Sequence, residues 1–442
     1  MEWYWALATL LGSILALMAI GLPVGVAFLG VNVVAATFYL GGSGSLLERM
    51  QLGIGALGNN AYESMATFVL VPIPMFLLMG ELFFHSGLAN RMFNAIDKLL
   101  GRMPARLSYV TVAGGTAFAT LSGSSMGSTA LLGTLMVPEM SRRGYKKSLS
   151  IGPILGTGGL AMLIPPSALA VLLGTLAELD IGKLLIAGIV PGLLLATFYS
   201  ILIFVMAKID PDAAPAYEVE QVSLPVKLRL FFLDVVPMVS VVVGVILLIM
   251  YGVASPSESA AFGCLGVLVL AVLYRMLSLE AIRKSLNGTA RVTVMALLIL
   301  FGSSTFSQIL SFSGGSEGLI KWVTSFDVNP MSMLLIMFLI LMLLGMFMDQ
   351  LAMMLLTVPI FYPLASQFGF DPIWFSVIVL LAMEISFTTP PFGLLLFVMQ
   401  GVAPKGTTFG EICLAALPFM ACAILVVLLV VLFPPLALWL PG

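Results

Sequence analysis

Hydroxyls crowd one short stretch of this sequence, LSGSS at 121–125, and another, TTPP at 388–391, ends in a proline pair whose twin is Pro165–Pro166. Hydroxyl and carbonyl oxygens are the ligands a hard cation takes, and prolines set carbonyls free. A proline inside a helix donates no amide and costs about 3 kcal/mol. Pro165 and Pro166 therefore leave the carbonyls of Ala161 and Met162 without donors, and Pro390 and Pro391 do the same for Ser386 and Phe387. Each ring also disfavours helix in the residue before it. In hydrocarbon a free carbonyl costs several kcal/mol unless something satisfies it. A bare Na+ does so, and Ser122, Ser124, Ser125, Ser167, Thr388 and Thr389 would complete a cage of oxygens. The tip at SGSS also offers a helix N-terminus beginning near Met126, whose amides suit an anionic group.

Other chemistry finds fewer residues. Asp349 sits deep in an apolar block, where an acid is functional by default, and is read as shaping the cation or substrate site. Glu384 lies six residues before the second proline pair, with structural and coupling roles both open. Glu81 and His85 share a helical face and form a poor metal site, so a local hydrogen bond is the expectation. With a single histidine in the chain, no HExxH and no nucleophile beside a base, an intramembrane enzyme is disfavoured. A channel needs a continuous polar pore lining, and only isolated acids occur. Cys264, Cys413 and Cys422 read as small core residues.

These residues must be positioned within a membrane. The chain has 442 residues, 60% of them hydrophobic and 9% charged, and its mean hydropathy is +1.14. Many apolar runs reach the roughly 20 residues a bilayer core requires. The fold class is an all-α polytopic membrane protein, and no basic stripe suggests nucleic acid. The N-terminus has no basic region or cleavage site of a secretory signal and reads as a retained first span. Spans fall near 3–21, 24–41, 66–86, 184–207, 234–252, 257–274, 292–312 and 411–433. Residues 42–65 read as a polar, Gly-rich stretch, and LANRMFNAIDKLLGRMPAR as an amphipathic segment lying at the interface.

Charge fixes the path of the interrupted blocks. Arg91, Lys98, Arg102 and Arg106 precede the block at 107–140, and Arg142, Arg143, Lys146 and Lys147 follow it. Positive loops stay inside, so the block enters, turns at SGSS and leaves on the same face as a re-entrant hairpin. With a second hairpin at 331–366, only Arg49, Lys183 and Lys321 of the nineteen basic residues fall outside; the loops at 208–229, 275–291 and near Lys405 fall inside, and both termini outside.

Sliding the halves by 225 residues sets Pro138 on Pro363, Gly144 on Gly369, Pro165 on Pro390 and Pro166 on Pro391, with Leu131, Ser141, Leu155 and Leu169 also meeting their like. One proline kink is an ordinary device of membrane helices; two at equivalent positions, each after an interrupted hairpin, point to a site. The chain thus divides into residues 1–207, with a hairpin at 107–140 and a broken helix at 148–177; a joint at 208–232; and residues 233–442, with a hairpin at 331–366 and a broken helix at 372–400. Because the hairpins enter from opposite faces, the repeats are inverted, a construction many secondary transporters build around a midplane site.

Four motifs, LSGSSMGSTALLGTLMVPEMSRRGY, LIPPSALAVLLG, LLGMFMDQLAMMLLTVPI and MEISFTTPPFGLLLF, resemble in order and spacing the large membrane subunit of tripartite ATP-independent periplasmic (TRAP) transporters. The likeness covers nearly the whole chain; Ser386 stands where many relatives are expected to carry glycine. The resemblance implies a Na+-driven, elevator-type secondary transporter of the bacterial inner membrane. It implies a small four-helix membrane subunit as partner, and a periplasmic binding protein that delivers an organic acid. Na+, the transported coupling ion, would bind at Ser122, Ser124, Ser125, Ala161, Met162 and Pro165, and again at Asp349, Ser386, Phe387, Thr388, Thr389 and Pro390. Substrate would touch Ser124, Ser125, Ser167, Asp349 and Thr389 between the two tips. A stand-alone anion symporter of the same superfamily, needing no binding protein, is the alternative.

Overall fold

The computed structural model describes residues 3–442 except 23, 43, 66–67, 102, 123–124, 216–222, 327, 392 and 405, and the side chains at 19, 24, 61, 63–65, 69, 120–122 and 299 also fall outside its description. The described residues form helices and connecting turns. The first half opens with α1 (Trp3–Ala19), α2 (Val24–Tyr39), α3 (Leu46–Met65), α4 (Pro72–His85) and α5 (Leu88–Leu100). A pair follows, α6 (Arg106–Ser122) and α7 (Ser125–Arg142), then the segments α8 (Lys147–Ser150), α9 (Gly152–Gly158) and α10 (Ala168–Leu176), and finally α11 (Ile181–Ala187) and α12 (Ile189–Ile209). The second half again places five helices before a helix pair, and an interrupted helix after it. It has α13 (Leu224–Leu230), α14 (Val236–Met250), α15 (Pro256–Leu273), α16 (Leu279–Phe312) and α17 (Gly315–Thr324), then the pair α18 (Pro330–Gly345) and α19 (Gln350–Gln367). The segments α20 (Pro372–Phe387) and α21 (Leu394–Val402) come next, then α22 (Phe409–Leu432) and α23 (Pro435–Leu438).

Local sequence accounts for most of these boundaries. Asn329 caps α18 and Asp371 caps α20, each followed at once by proline, the residue whose fixed φ suits a first turn. Ser255 with Glu258 and Thr408 with Glu411 form capping boxes at α15 and α22, satisfying two orphan amides each. Among the described residues, five helices or merged helices are long and apolar enough to cross a bilayer, or six if the bent pair α4–α5 is one span. The 65° bend between α4 and α5 turns the amphipathic segment aside, as its charge requires.

Two sequence expectations are corrected. Residues 46–65 are helical because glycine lets α3 lie on its neighbour: a Cβ at Gly53 would come within 2.9 Å of the Ala36 backbone. The loop expected at 275–291 is helical from Leu279, where Ser278 caps the helix through the Ala281 amide at 3.0 Å and Glu280 pairs with Lys284 at 2.7 Å.

The packing sorts the elements. α16 runs along α2, α3 and α4, and α15 packs on α4 and α14. The pairs and the interrupted helices interleave: α7 lies on α21 and α19 lies on α10, so each descending arm meets the helix that follows the break of the other half. α6 packs on α9 and α18 on α20, within their own halves. α12 and α22 pack on each other, α22 also on α9 and α20, and Tyr199 meets Phe419 with ring centroids 5.3 Å apart. The feet of the α6–α7 hairpin meet where the Tyr145 hydroxyl accepts the Leu107 amide at 3.4 Å. Basic side chains tie several loops at that end together: Lys146 to Asp210 at 2.5 Å, Lys147 to Glu411 at 2.6 Å, and Lys227 to the Leu99 carbonyl at 3.2 Å.

Candidate functional site

At the first break α9 tightens into a 3-10 turn at Gly159–Met162, and the chain runs without helix until α10. The amides of Leu163 and Ile164 both turn back to the Leu160 carbonyl, at 3.2 and 3.1 Å. Among the described residues, no backbone amide reaches the carbonyls of Ala161 or Met162. Ser167, fully buried, restarts the helix by accepting the Ala170 amide at 3.2 Å. That capping role was not expected, and it engages the side chain with its own helix. Three glycines let the turn be approached closely. A Cβ at Gly158 would stand 2.3 Å from Thr129 Oγ1, one at Gly159 2.3 Å from Glu384 Oε1, and one at Gly188 2.1 Å from the Leu163 carbonyl.

The second break is built differently. Thr388 and Thr389 both donate their hydroxyls to the Ile385 carbonyl, at 3.0 and 2.8 Å, and Ser386 donates to Met383 at 2.8 Å. Each buried hydroxyl thus uses its proton on its own helix and keeps lone pairs for another partner. The Phe387 carbonyl takes no backbone amide among the described residues, whereas that of Ser386 accepts the Thr389 amide at 3.1 Å. The expectation of a free Ser386 carbonyl is corrected here: the end of α20 tightens by one residue before Pro390 and recaptures it. Gly345 at the end of α18 lies against Ser386, since a Cβ there would be 2.0 Å from its Oγ. Asp349 is the N-cap of α19, its Oδ1 accepting the Ala352 amide at 3.0 Å.

At the first tip, Ser122 ends α6 and Ser125 begins α7. Ser124 and the side chain of Ser122 lie outside the described residues. Ser125 Oγ is buried without a hydrogen-bond partner, and so is Thr129 Oγ1 one turn further on. Sequence reasoning missed Thr129; its only signal was the i, i+4 spacing from Ser125, because the 225-residue slip sets it on Met354. Gln350 was missed as well. Its Nε2 lies 3.4 Å from Met162 Sδ, which brings the second tip against the first break. Away from this centre, His85 Nε2 lies 3.1 Å from Glu81 Oε2, the local contact expected. Cys264 is buried while Cys413 and Cys422 are half-buried.

Two helix pairs, two interrupted helices and several long apolar helices describe an all-helical membrane protein. The crystal structure of the Alcanivorax borkumensis YdaH transporter superposes with a TM-score of 0.62 over 94% of this chain and 96% of that one, at 12% identity, a likeness of fold. The family model of the tripartite ATP-independent periplasmic transporter, DctM component, matches residues 11–436, and the chain belongs to that family. It is 31% identical to the C4-dicarboxylate TRAP transporter large permease protein DctM of Pseudomonas aeruginosa over 88% of this chain and 90% of that one. It is 30% identical to the sialic acid TRAP transporter large permease protein SiaM of Vibrio cholerae over 98% of both.

Proposed function

We propose that this chain carries an organic acid, as its carboxylate, inward across the inner membrane on a Na+ gradient, taking it from a periplasmic binding protein and working beside a small four-helix membrane subunit. The family's tripartite, periplasmic description supports the partners, and the relatives named for C4-dicarboxylate and sialic acid support an acid cargo. The observation that carries the reading is the meeting of Gln350 and Met162, which sets the second tip against the first break.

In this reading the first sodium sits among Ser122, Ser124, Ser125 and the backbone of Ala161, Met162 and Pro165. Buried Ser125, without a donor or acceptor of its own, supports that cage. The second sits among Asp349 and the Ser386–Pro390 segment, where the Thr388 and Thr389 oxygens retain lone pairs. Substrate contacts Ser124, Ser125, Asp349 and Thr389; Ser167 shapes the wall as a cap. Sodium neutralises the carboxylate, which lowers the cost of passing it through a low-dielectric site. The element order supports two repeats, and the distribution of basic residues supports their inversion. The moving body of the elevator comprises α6–α12 and α18–α22, since α12 and α22 pack on the broken helices, and it slides on α1–α5 and α13–α17.

The test is uptake by proteoliposomes holding this chain, the small subunit and the binding protein, with a panel of organic acids and with or without an inward Na+ gradient. Uptake requiring both Na+ and the binding protein is expected. Uptake by the chain alone, without the binding protein, would make it a stand-alone symporter.

A further inference from the structure

Glu384 is a deeply buried acid to which this mechanism has given no task. It is 3% exposed, and no basic side chain among the described residues pairs with it; the polar group that reaches it is the Tyr199 hydroxyl. The titratable group facing it among the described residues is Tyr199 from α12, beyond which Cys422 from α22 faces Tyr199 in turn, and neither brings a positive charge. An ionisable side chain buried inside a membrane protein without a counter-charge is costly and marks function.

Its position is specific. The carboxyl group lies directly on Gly159, at the head of the turn that leads to Ala161 and Met162. Its own helix reaches Ser386 two residues later, a rise of about 3 Å, and Thr389 follows just beyond the helix end. The acid therefore touches the first break and stands within a turn and a half of the second. The small cavity beside it, walled by Leu155, Gly156, Tyr199, Thr388, Phe419 and Met420, has a volume of about 10 Å³, room for about one water. Its walls are mainly apolar and cannot supply the six or so oxygens of a third cation cage.

We propose that Glu384 is a positioning residue whose carboxylate is the shared counter-charge of the two sodium ions. It acts across Gly159 on one ion and along α20 on the other, so that the ions bind together rather than singly. The inference rests on the Na+-coupled reading and adds to it the residue that links the cages. A unit charge about 7 Å away, at an effective dielectric constant of about 20, changes an ion's affinity by about tenfold or more.

The experiment uses the complete transporter in proteoliposomes and compares the wild type, Glu384→Gln and Glu384→Asp across a Na+ titration. In parallel, the Na+ concentration that stabilises the purified chain against heat is measured, a readout independent of transport. For Glu384→Gln we expect the half-saturating Na+ to rise at least tenfold in both assays and the Hill coefficient to fall towards 1, with substrate KM at saturating Na+ unchanged. Glu384→Asp should recover part of the Na+ affinity. A wild type that depends on Na+ beside a Glu384→Gln variant with the same Na+ curve overturns this inference alone. So does a variant whose heat stability falls at every Na+ concentration with no shift in the Na+ midpoint, which marks a packing role. Uptake by the wild type that ignores Na+ removes the coupling reading itself.

Discussion

Asp349 has two tasks that a pair of substitutions can separate. Its Oδ1 caps α19, and its charge belongs to the second proposed sodium cage. Asparagine caps a helix about as well as aspartate, whereas alanine gives up about 1 kcal/mol. Asp349→Asn should keep the melting temperature and lose Na+-driven uptake; Asp349→Ala should lose both. An Asn variant that transports normally would leave capping as the whole role. Gly159 makes a sharper steric prediction. A methyl there falls on the Glu384 carboxyl group, so Gly159→Ala should destabilise the protein by about 1–3 kcal/mol, and a Gly159→Ala/Glu384→Ala double variant should recover most of that loss in a thermal unfolding assay. Residues that break the chain's own pattern were legible in the sequence: prolines in an apolar run, or an aspartate at a hairpin tip, are visible without neighbours. Thr129, Gln350 and the contact of Glu384 with Gly159 were not. Each acquires its meaning from a segment far away in the chain, and Ser386 misled because the amide that recaptures its carbonyl depends on how tightly α20 closes.

At the scale of elements, α7 and α21 should move as one body although they come from different halves. A Cβ at Gly133 would lie 3.5 Å from Val402 Cβ, at the short end of the range that a disulfide spans. In a background lacking Cys264, Cys413 and Cys422, Gly133→Cys/Val402→Cys should crosslink on oxidation and retain uptake. Loss of uptake that returns on reduction would mean that α7 and α21 must slide past one another. Most helices were readable because caps and prolines announce their starts, as at Asn329–Pro330 and Asp371–Pro372. α3 was not, since its glycines suggest a loop until Gly53 is seen against the α2 backbone, and since Asn60, unpromising by itself, meets Gln308 of α16.

For the whole molecule, the charge count makes a topological prediction. Single cysteines replacing Lys183 or Lys321 should be labelled by an impermeant thiol reagent from the periplasmic side, and cysteines at 210–215, between α12 and α13, only after the membrane is opened. The reverse pattern would invert the orientation of both halves. The sequence contained the repeated order of hairpin and break, because punctuating residues survive where apolar ones match by composition. It could not reveal that the halves interleave, since partner choice between helices of similar composition is settled by the shape of facing surfaces.

That interleaving bears on how the protein is made. α7 ends at residue 142, but the helix it lies on starts at residue 394; at about 5–20 residues per second the first half waits on the order of ten to fifty seconds for its partner. During that interval the face of α7 that α21 covers has no partner from its own half. A chain cut short before α21 therefore lacks the surface that completes its first hairpin, however well the first half folds by itself.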